Sequence, residues 1–171
     1  MIKELNIEKN VTIKKIKEEE IKIVLDFQKE IIDNMEHKEW FVPLTKEEFL
    51  TPIRGEDNVY VFIYNNIIIG LLVLTCNISE ILKDYELPST NYMLIDSIMV
   101  KEGYRGYGLQ RQLLNFAYKR AFDLNMDGLV ATIHPDNKYS LNNFLNDNYN
   151  ILHTLTIHGG TRKIVVKNVE K

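Results

Sequence analysis

The sequence predicts an α/β (α+β) domain built on a single mixed, mostly antiparallel sheet of about six to seven strands, with helices on its flanks. Three observations carry this. β-rich apolar runs recur along the chain, and some are joined by two turn residues in the manner of antiparallel hairpins. Segments with helical spacing separate them. One glycine-rich turn, Gly103 to Gly108, leads from a strand straight into an amphipathic helix.

The elements follow in order. Val11 to Ile16 alternates, with Val11, Ile13 and Lys15 on one face, and reads as a first strand. Glu18-Glu19-Glu20 places acid at a helix start, where the macrodipole favours it. Ile21, Val24, Leu25, Gln28, Ile31, Ile32 and Met35 then recur at helical spacing, so this helix runs to about Glu36. Trp40 to Leu44 is an apolar loop, its aromatic residues either lidding a pocket or plugging the core. Thr45-Lys46-Glu47-Glu48 has the capping-box form and predicts a short helix that ends before Pro52. Asn58–Tyr64 and Ile67–Thr75 form a hairpin turned at Asn65-Asn66, two residues that tolerate positive φ. Ser79 to Glu86 is a short helix or an ordered loop. Asn91–Val100 is a strand, Gly108–Leu124 a helix, Gly128–His134 a strand and Lys138–Asp147 a helix. Ile151–Ile157 and Lys163–Val169 close the chain as a hairpin turned at Gly159-Gly160. No repeat or linker interrupts this order, which predicts one domain over residues 1–171.

Composition narrows the function. With 45% apolar and 26% charged residues the chain is neither disordered nor a membrane protein. The longest apolar run, Ile67 to Leu74, is far short of the roughly 20 residues a membrane helix needs. A net charge of −3 argues against nucleic-acid binding. The lone Cys76 makes no internal disulfide, and no His, Cys or Asp cluster has ligand spacing, so no metal is expected. Residues 1–10 alternate charged and apolar side chains without a signal-peptide core, which predicts a cytoplasmic protein.

The turn Gly103-Tyr104-Arg105-Gly106-Tyr107-Gly108 has the form of an anion cradle. Glycines remove Cβ atoms, backbone N–H groups close on the guest, and the next helix adds its positive end. It is not a P-loop, because Leu109-Gln110 stands where Lys-Ser/Thr must be. It is a poor dinucleotide fingerprint, because Arg111 occupies the third glycine. A third form, [QR]-x-x-G-x-[GA], wraps the pyrophosphate of coenzyme A, and Arg105-Gly106-Tyr107-Gly108-Leu109-Gln110 is similar to it except at the last position.

From Asn91 to about Val169 the chain resembles the GNAT superfamily of N-acetyltransferases in motif order. Leu94-Ile95-Asp96-Ser97-Ile98-Met99-Val100 looks like the family's fourth strand, and Leu129 to His134 like its fifth. Asn137-x-x-Ser140 looks like its N-x-x-[AS], and Asn148-Tyr149 stands for a terminal Gly-Phe. The resemblance implies an acyl-CoA N-acyltransferase fold with strands 4 and 5 splayed, and acetyl-CoA as co-substrate. The acceptor would be a primary amine of a small molecule or peptide, and a homodimer through the sheet edges or closing hairpin comes into consideration. It further implies that backbone groups of Ile98, Met99 and Val100 bond the pantetheine, as a ligand strand would. Arg105, Gly106, Tyr107, Gly108, Leu109, Gln110 and Arg111 would hold the pyrophosphate, with Asn137 and Ser140 along the arm. Lys101 and Lys138 are further candidates for the phosphates, and the Gln110 side chain is expected to point outward along its helix.

Asp96 is the candidate base, expected on the strand face of Ile98 and Val100. It would take the amine's proton through water or bind the ammonium, unless it is only a strand carboxylate paired with a Lys or Arg. The family's tyrosine acid falls at Phe144. Tyr139 replaces it only if its ring points into the tunnel; otherwise it packs on the surface. His134 either lines the acceptor side or is structural. A thiolate with pKa about 8 to 9 leaves readily without much acid help. The absent tyrosine keeps open a non-catalytic sensor of acyl-CoA with the same fold.

Overall fold

The computed structural model describes residues 10–55, 57–77 and 79–171; the stretch 1–9, read above for a leader, lies outside them. Seven strands form one sheet: β1 (Thr12–Lys15), β2 (Val59–Tyr64), β3 (Ile67–Thr75), β4 (Tyr92–Val100), β5 (Gly128–Ile133), β6 (Asn150–Ile157) and β7 (Gly160–Asn168). Their order across the sheet is β1-β2-β3-β4-β5-β7-β6. Every neighbouring pair is antiparallel except β4 and β5, which run parallel. The mixed, mostly antiparallel sheet read from the sequence is the one observed.

Helices cover both faces. α1 (Ile21–Asp33) and α2 (Lys46–Arg54) lie on one side, where Val24, Phe27, Ile31 and Phe49 pack against Val59, Val61, Leu71, Val73 and Met99. α4 (Leu109–Asp123) and α5 (Lys138–Asn146) lie on the other, with Leu113, Leu114, Ala117, Leu141 and Phe144 against Phe62, Leu72, Leu74, Met93 and Ile95. A single turn of helix, α3 (Ser79–Lys83), buries Leu82 beside Tyr92 and Ile164. Among the described residues no helix is long and apolar enough to cross a membrane.

Local signals explain most boundaries. Asn65 and Asn66 carry φ of 48° and 62°, the conformation a two-residue turn with right-handed strand twist demands. At α2 the Glu48 N–H donates to Thr45 Oγ1 (3.3 Å) and the Thr45 N–H to Glu48 Oε2 (2.7 Å), closing the capping box. Thr45→Ala should therefore cost about 1 kcal/mol, read as a lower denaturant midpoint at unchanged slope.

Three boundaries correct the sequence reading. α2 continues through Pro52 to Arg54. Proline forgoes one backbone N–H there, but its ring is buried and its fixed φ suits a helix that ends within a turn. The closing hairpin turns at His158 (φ 52°) and Gly159 (φ 77°), not at Gly159-Gly160, so β7 begins at Gly160. β1 is a four-residue edge strand with all residues exposed; Ile16, just beyond it, is the buried one.

The feature that positions the site is a parting in the sheet. β4 and β5 pair only from Tyr92↔Gly128 to Leu94↔Val130. Beyond that point β4 stays with β3 as far as Val100↔Gly70, and β5 stays with β7 as far as Ile133↔Lys163. The two strands thus splay, as the resemblance implied.

Candidate active site

The splay opens a cleft. Ile95, Asp96, Ser97 and Ile98 line one wall, and Ala131, Thr132, Ile133 and His134 the other. Trp40 and Phe41 border it from one layer, and Asn137, Ser140 and Phe144 from the opposite one. Lys101 N–H donates to the Ile69 carbonyl on β3 at 2.9 Å. Backbone groups alternate along a strand, so those of Val100 and Ile98 point away from β3, into the gap that β5 has left. Met99, grouped with them on sequence, directs its backbone back to β3.

Asp96 sits where β4 bulges. Val73 pairs with Ser97 but Leu74 pairs with Ile95, which leaves Asp96 as the inserted residue. A bulge turns two consecutive side chains to one side and shifts the alternation. Asp96 therefore does not share the face of Ile98 and Val100, which pack with the α4–α5 layer. Its carboxylate accepts from Thr75 Oγ1 at 3.4 Å and feels the charge of Glu48 on α2. Burial, and after it the Glu48 charge, push Asp96 up to about 6, against the weaker opposing effect of Thr75. Among the described residues no Lys or Arg pairs with it. Such a carboxylate gains and loses a proton near neutral pH.

The glycine turn lies at the end of the same strand. Gly106 (φ 84°) and Gly108 (φ 76°) adopt left-handed backbone, and a Cβ on either would face open space. Gly108 caps α4 without any side-chain acceptor, so the first-turn amides of Leu109, Gln110 and Arg111 remain available to an anion. Arg105 Nε donates to the Val100 carbonyl at 3.3 Å, tying the turn to the strand. Tyr107 is half-buried and packs on the core, and Arg111 is exposed.

The remaining candidates divide. Asn137 caps α5, accepting the Ser140 N–H at 3.1 Å, and both residues line the cleft. Gln110 is buried, not outward: it donates to Ser140 Oγ (3.4 Å) and accepts from Asn143 Nδ2 (3.0 Å), bridging α4 and α5. Tyr139, the candidate acid, is 53% exposed and lies outside the cleft lining; its hydroxyl accepts from the Gly106 N–H at 3.3 Å. It stands over the anion turn because a residue in the first turn of α5 faces that loop. Phe144 is buried against Tyr149, centroids 4.9 Å apart. Lys101 pairs with Glu30 at 2.8 Å in a pocket it lines together with Gly103 and Arg105, and Lys138 bonds the Pro135 carbonyl at 2.9 Å. Trp40 stacks on His37 (4.3 Å) and His134 (6.1 Å); Trp40, Phe41 and His134 line the cleft, while Phe41 and Leu44 of the same loop also pack in the core. Sequence reasoning missed Ser97 and Thr75; a serine interrupting the apolar run of β4 was the available signal.

The sequence pattern of the Acetyltransferase (GNAT) family matches residues 26–145. Among solved structures the chain is similar to an N-acetyltransferase from Staphylococcus aureus Mu50, with TM-score 0.72, 22% identity, and 94% of this chain and 99% of that one covered. It is similar to yncA from Salmonella typhimurium, solved with its cofactor acetyl-CoA (TM-score 0.70, 13% identity, 94% and 95% covered). It is also similar to a chain of the NatC complex bound to Gag peptide and CoA (TM-score 0.71, 16% identity, 94% and 99% covered). At these identities the structural likeness is one of fold. No curated protein matches the chain.

Proposed function

The chain belongs to the GNAT acetyltransferase family, and on that premise we propose that it moves an acetyl group from acetyl-CoA to a primary amine of a small molecule or peptide, by direct attack in a ternary complex. The observation that carries this reading is the parting of β4 and β5, with Asp96 on its wall and the glycine turn at its end.

The residues fit such a donor. Gly106, Gly108 and the free first-turn amides of α4 suit a pyrophosphate, and positive φ keeps side chains off the approach. Arg105, Tyr107, Leu109, Gln110 and Arg111 complete that turn. Backbone groups of Ile98 and Val100 can take the amides of a pantetheine arm as a missing strand would, with Asn137 and Ser140 opposite. An N–H of the same stretch can meet the oxyanion. Asp96 takes the proton that the amine sheds once bonded to the carbonyl carbon. The C–N bond forms, the C–S bond breaks, and the thiolate leaves with its electron pair. A base with pKa about 6 is weak toward a free ammonium near ~10 but suits the more acidic N–H of the adduct.

One observation favours a second reading, a non-catalytic acyl-CoA sensor. Phe144 stands where the family acid would, and the Tyr139 hydroxyl is engaged at Gly106.

Donor binding is tested by thermal shift. Acetyl-CoA at about 100 times its Kd should stabilise the protein by roughly 2.7 kcal/mol, a rise of several degrees in Tm. In Gly108→Val, a β-branched residue at φ 76° in the cradle, at least nine-tenths of that shift should vanish. A wild-type protein stabilised by ATP or NAD but not by acetyl-CoA would end the proposal.

A further inference from the structure

Ser97 is 4% exposed and lines the cleft beside Asp96, yet its Oγ meets no protein donor or acceptor among the described residues. Other hydroxyls nearby do have partners: Thr75 reaches Asp96 at 3.4 Å and Tyr85 meets His158 at 3.1 Å. A buried hydroxyl without a partner is a standing cost in a folded chain, and alanine would remove it with little change of shape. Such a group calls for a partner that arrives with the ligand.

The bulge says which ligand. It turns Asp96 and Ser97 to the same side, the layer of Val73 and Met99. Phe41, which borders the cleft, packs on that layer too. An amine whose proton passes to Asp96 must lie on this side, within reach of Ser97.

We propose that Ser97 is an acceptor-binding residue whose Oγ receives one N–H of a primary amine while Asp96 receives the other. This rests on the reading of the cleft as an acetyl-transfer site. A neutral primary amine has one lone pair and two N–H groups. With the lone pair committed to the carbonyl carbon, the two N–H groups find two acceptors on one wall. When the C–N bond forms and the C–S bond breaks, one proton goes to Asp96. The other stays in the amide and keeps its bond to Ser97. A secondary amine lacks that second N–H and brings a substituent to Ser97 instead, so the acceptor class is primary.

The experiment compares a primary amine turned over by the wild type with its N-methyl counterpart, in wild type, Ser97→Ala and Ser97→Thr, alongside unfolding midpoints without ligand. Ser97→Ala should lower kcat/KM for the primary amine at least tenfold and for the N-methyl amine less than twofold. KM for acetyl-CoA should stay within twofold, and the midpoint should not fall. Ser97→Thr, which restores a hydroxyl, should recover the primary amine to within threefold. If Ser97→Ala does not fold, Ser97→Cys, similar in volume but a weak acceptor, must show the same selective loss. Equal losses for both amines, or primary-amine activity within twofold of wild type, overturn the proposal. A wild type that binds acetyl-CoA but turns over no primary amine overturns the acetyl-transfer reading itself, and this inference with it.

Discussion

Asp96→Asn should lower acetyl transfer at least 100-fold and, at neutral pH, make the folded protein more stable by about 3 kcal/mol. The two effects share one cause. Burial and the Glu48 charge raise the folded-state value of Asp96 to about 6, against an ordinary value of 3.8. Between about pH 4 and pH 6 the folded chain therefore holds a proton that the unfolded chain has released. Stability falls as pH rises through that window and stays lower above it. Each pH unit of the window is worth about 1.4 kcal/mol, so the ionised carboxylate costs on the order of 3 kcal/mol near pH 7. Asparagine carries no charge to bury, and its carbonyl can still accept from Thr75. The gain should be present at pH 7 and gone at pH 4. Loss of the base removes a contribution of 10² or more from turnover. In the wild type, kcat/KM should rise with pH through about 6, and Asp96→Asn should abolish that limb. A rate change below about threefold would remove Asp96 from the role of base.

Gly128→Ala should destabilise the fold by about 3 kcal/mol, although it adds one methyl group. Gly128 opens β5 and pairs with Tyr92 at the closed end of the splay. A Cβ there would stand 2.5 Å from Tyr92 Cε1 and 2.8 Å from the Lys167 carbonyl. Neither neighbour yields easily. The Tyr92 hydroxyl is held by Asn168 at 2.9 Å, and the Lys167 carbonyl belongs to β7, paired with β5 at Leu129. Overpacking of this kind costs about 1–3 kcal/mol where side chains can shift, and more where backbone must. Because Gly128 starts the short ladder that runs from Tyr92↔Gly128 to Leu94↔Val130, the parallel pairing of β4 and β5 should loosen first. Denaturant unfolding checks it: a loss under 1 kcal/mol would show that the strands separate there without strain.

How far the sequence reaches depends on the range of the interaction. Element order, the Asn65-Asn66 turn, the Thr45 capping box and the glycine turn were readable because each is set by residues within a few positions. The face of Asp96 was not. One inserted residue in β4 reverses the alternation, and only pairing with β3 reveals the insertion. Gln110 was misread for a similar reason, since its partners Ser140 and Asn143 lie on another helix. Tyr139 has the chemistry of an acid, but its position in the first turn of α5 sends its hydroxyl to Gly106. His158-Gly159 and Gly159-Gly160 both suit a tight turn, and strand register chooses between them. Ser97 was missed although a serine interrupts the apolar run of β4; that its Oγ has no partner among the described residues is visible only once the neighbours are placed.

Thiol release from acetyl-CoA across a panel of primary amines, in wild type and Asp96→Asn at pH 8, tests acetyl transfer at this cleft most directly. The wild type should release free coenzyme A in an amine-dependent way, and the variant should lose at least 100-fold of that rate. A wild type that binds acetyl-CoA yet releases no thiol with any amine would contradict acetyl transfer, and would leave a sensor with the fold of an enzyme.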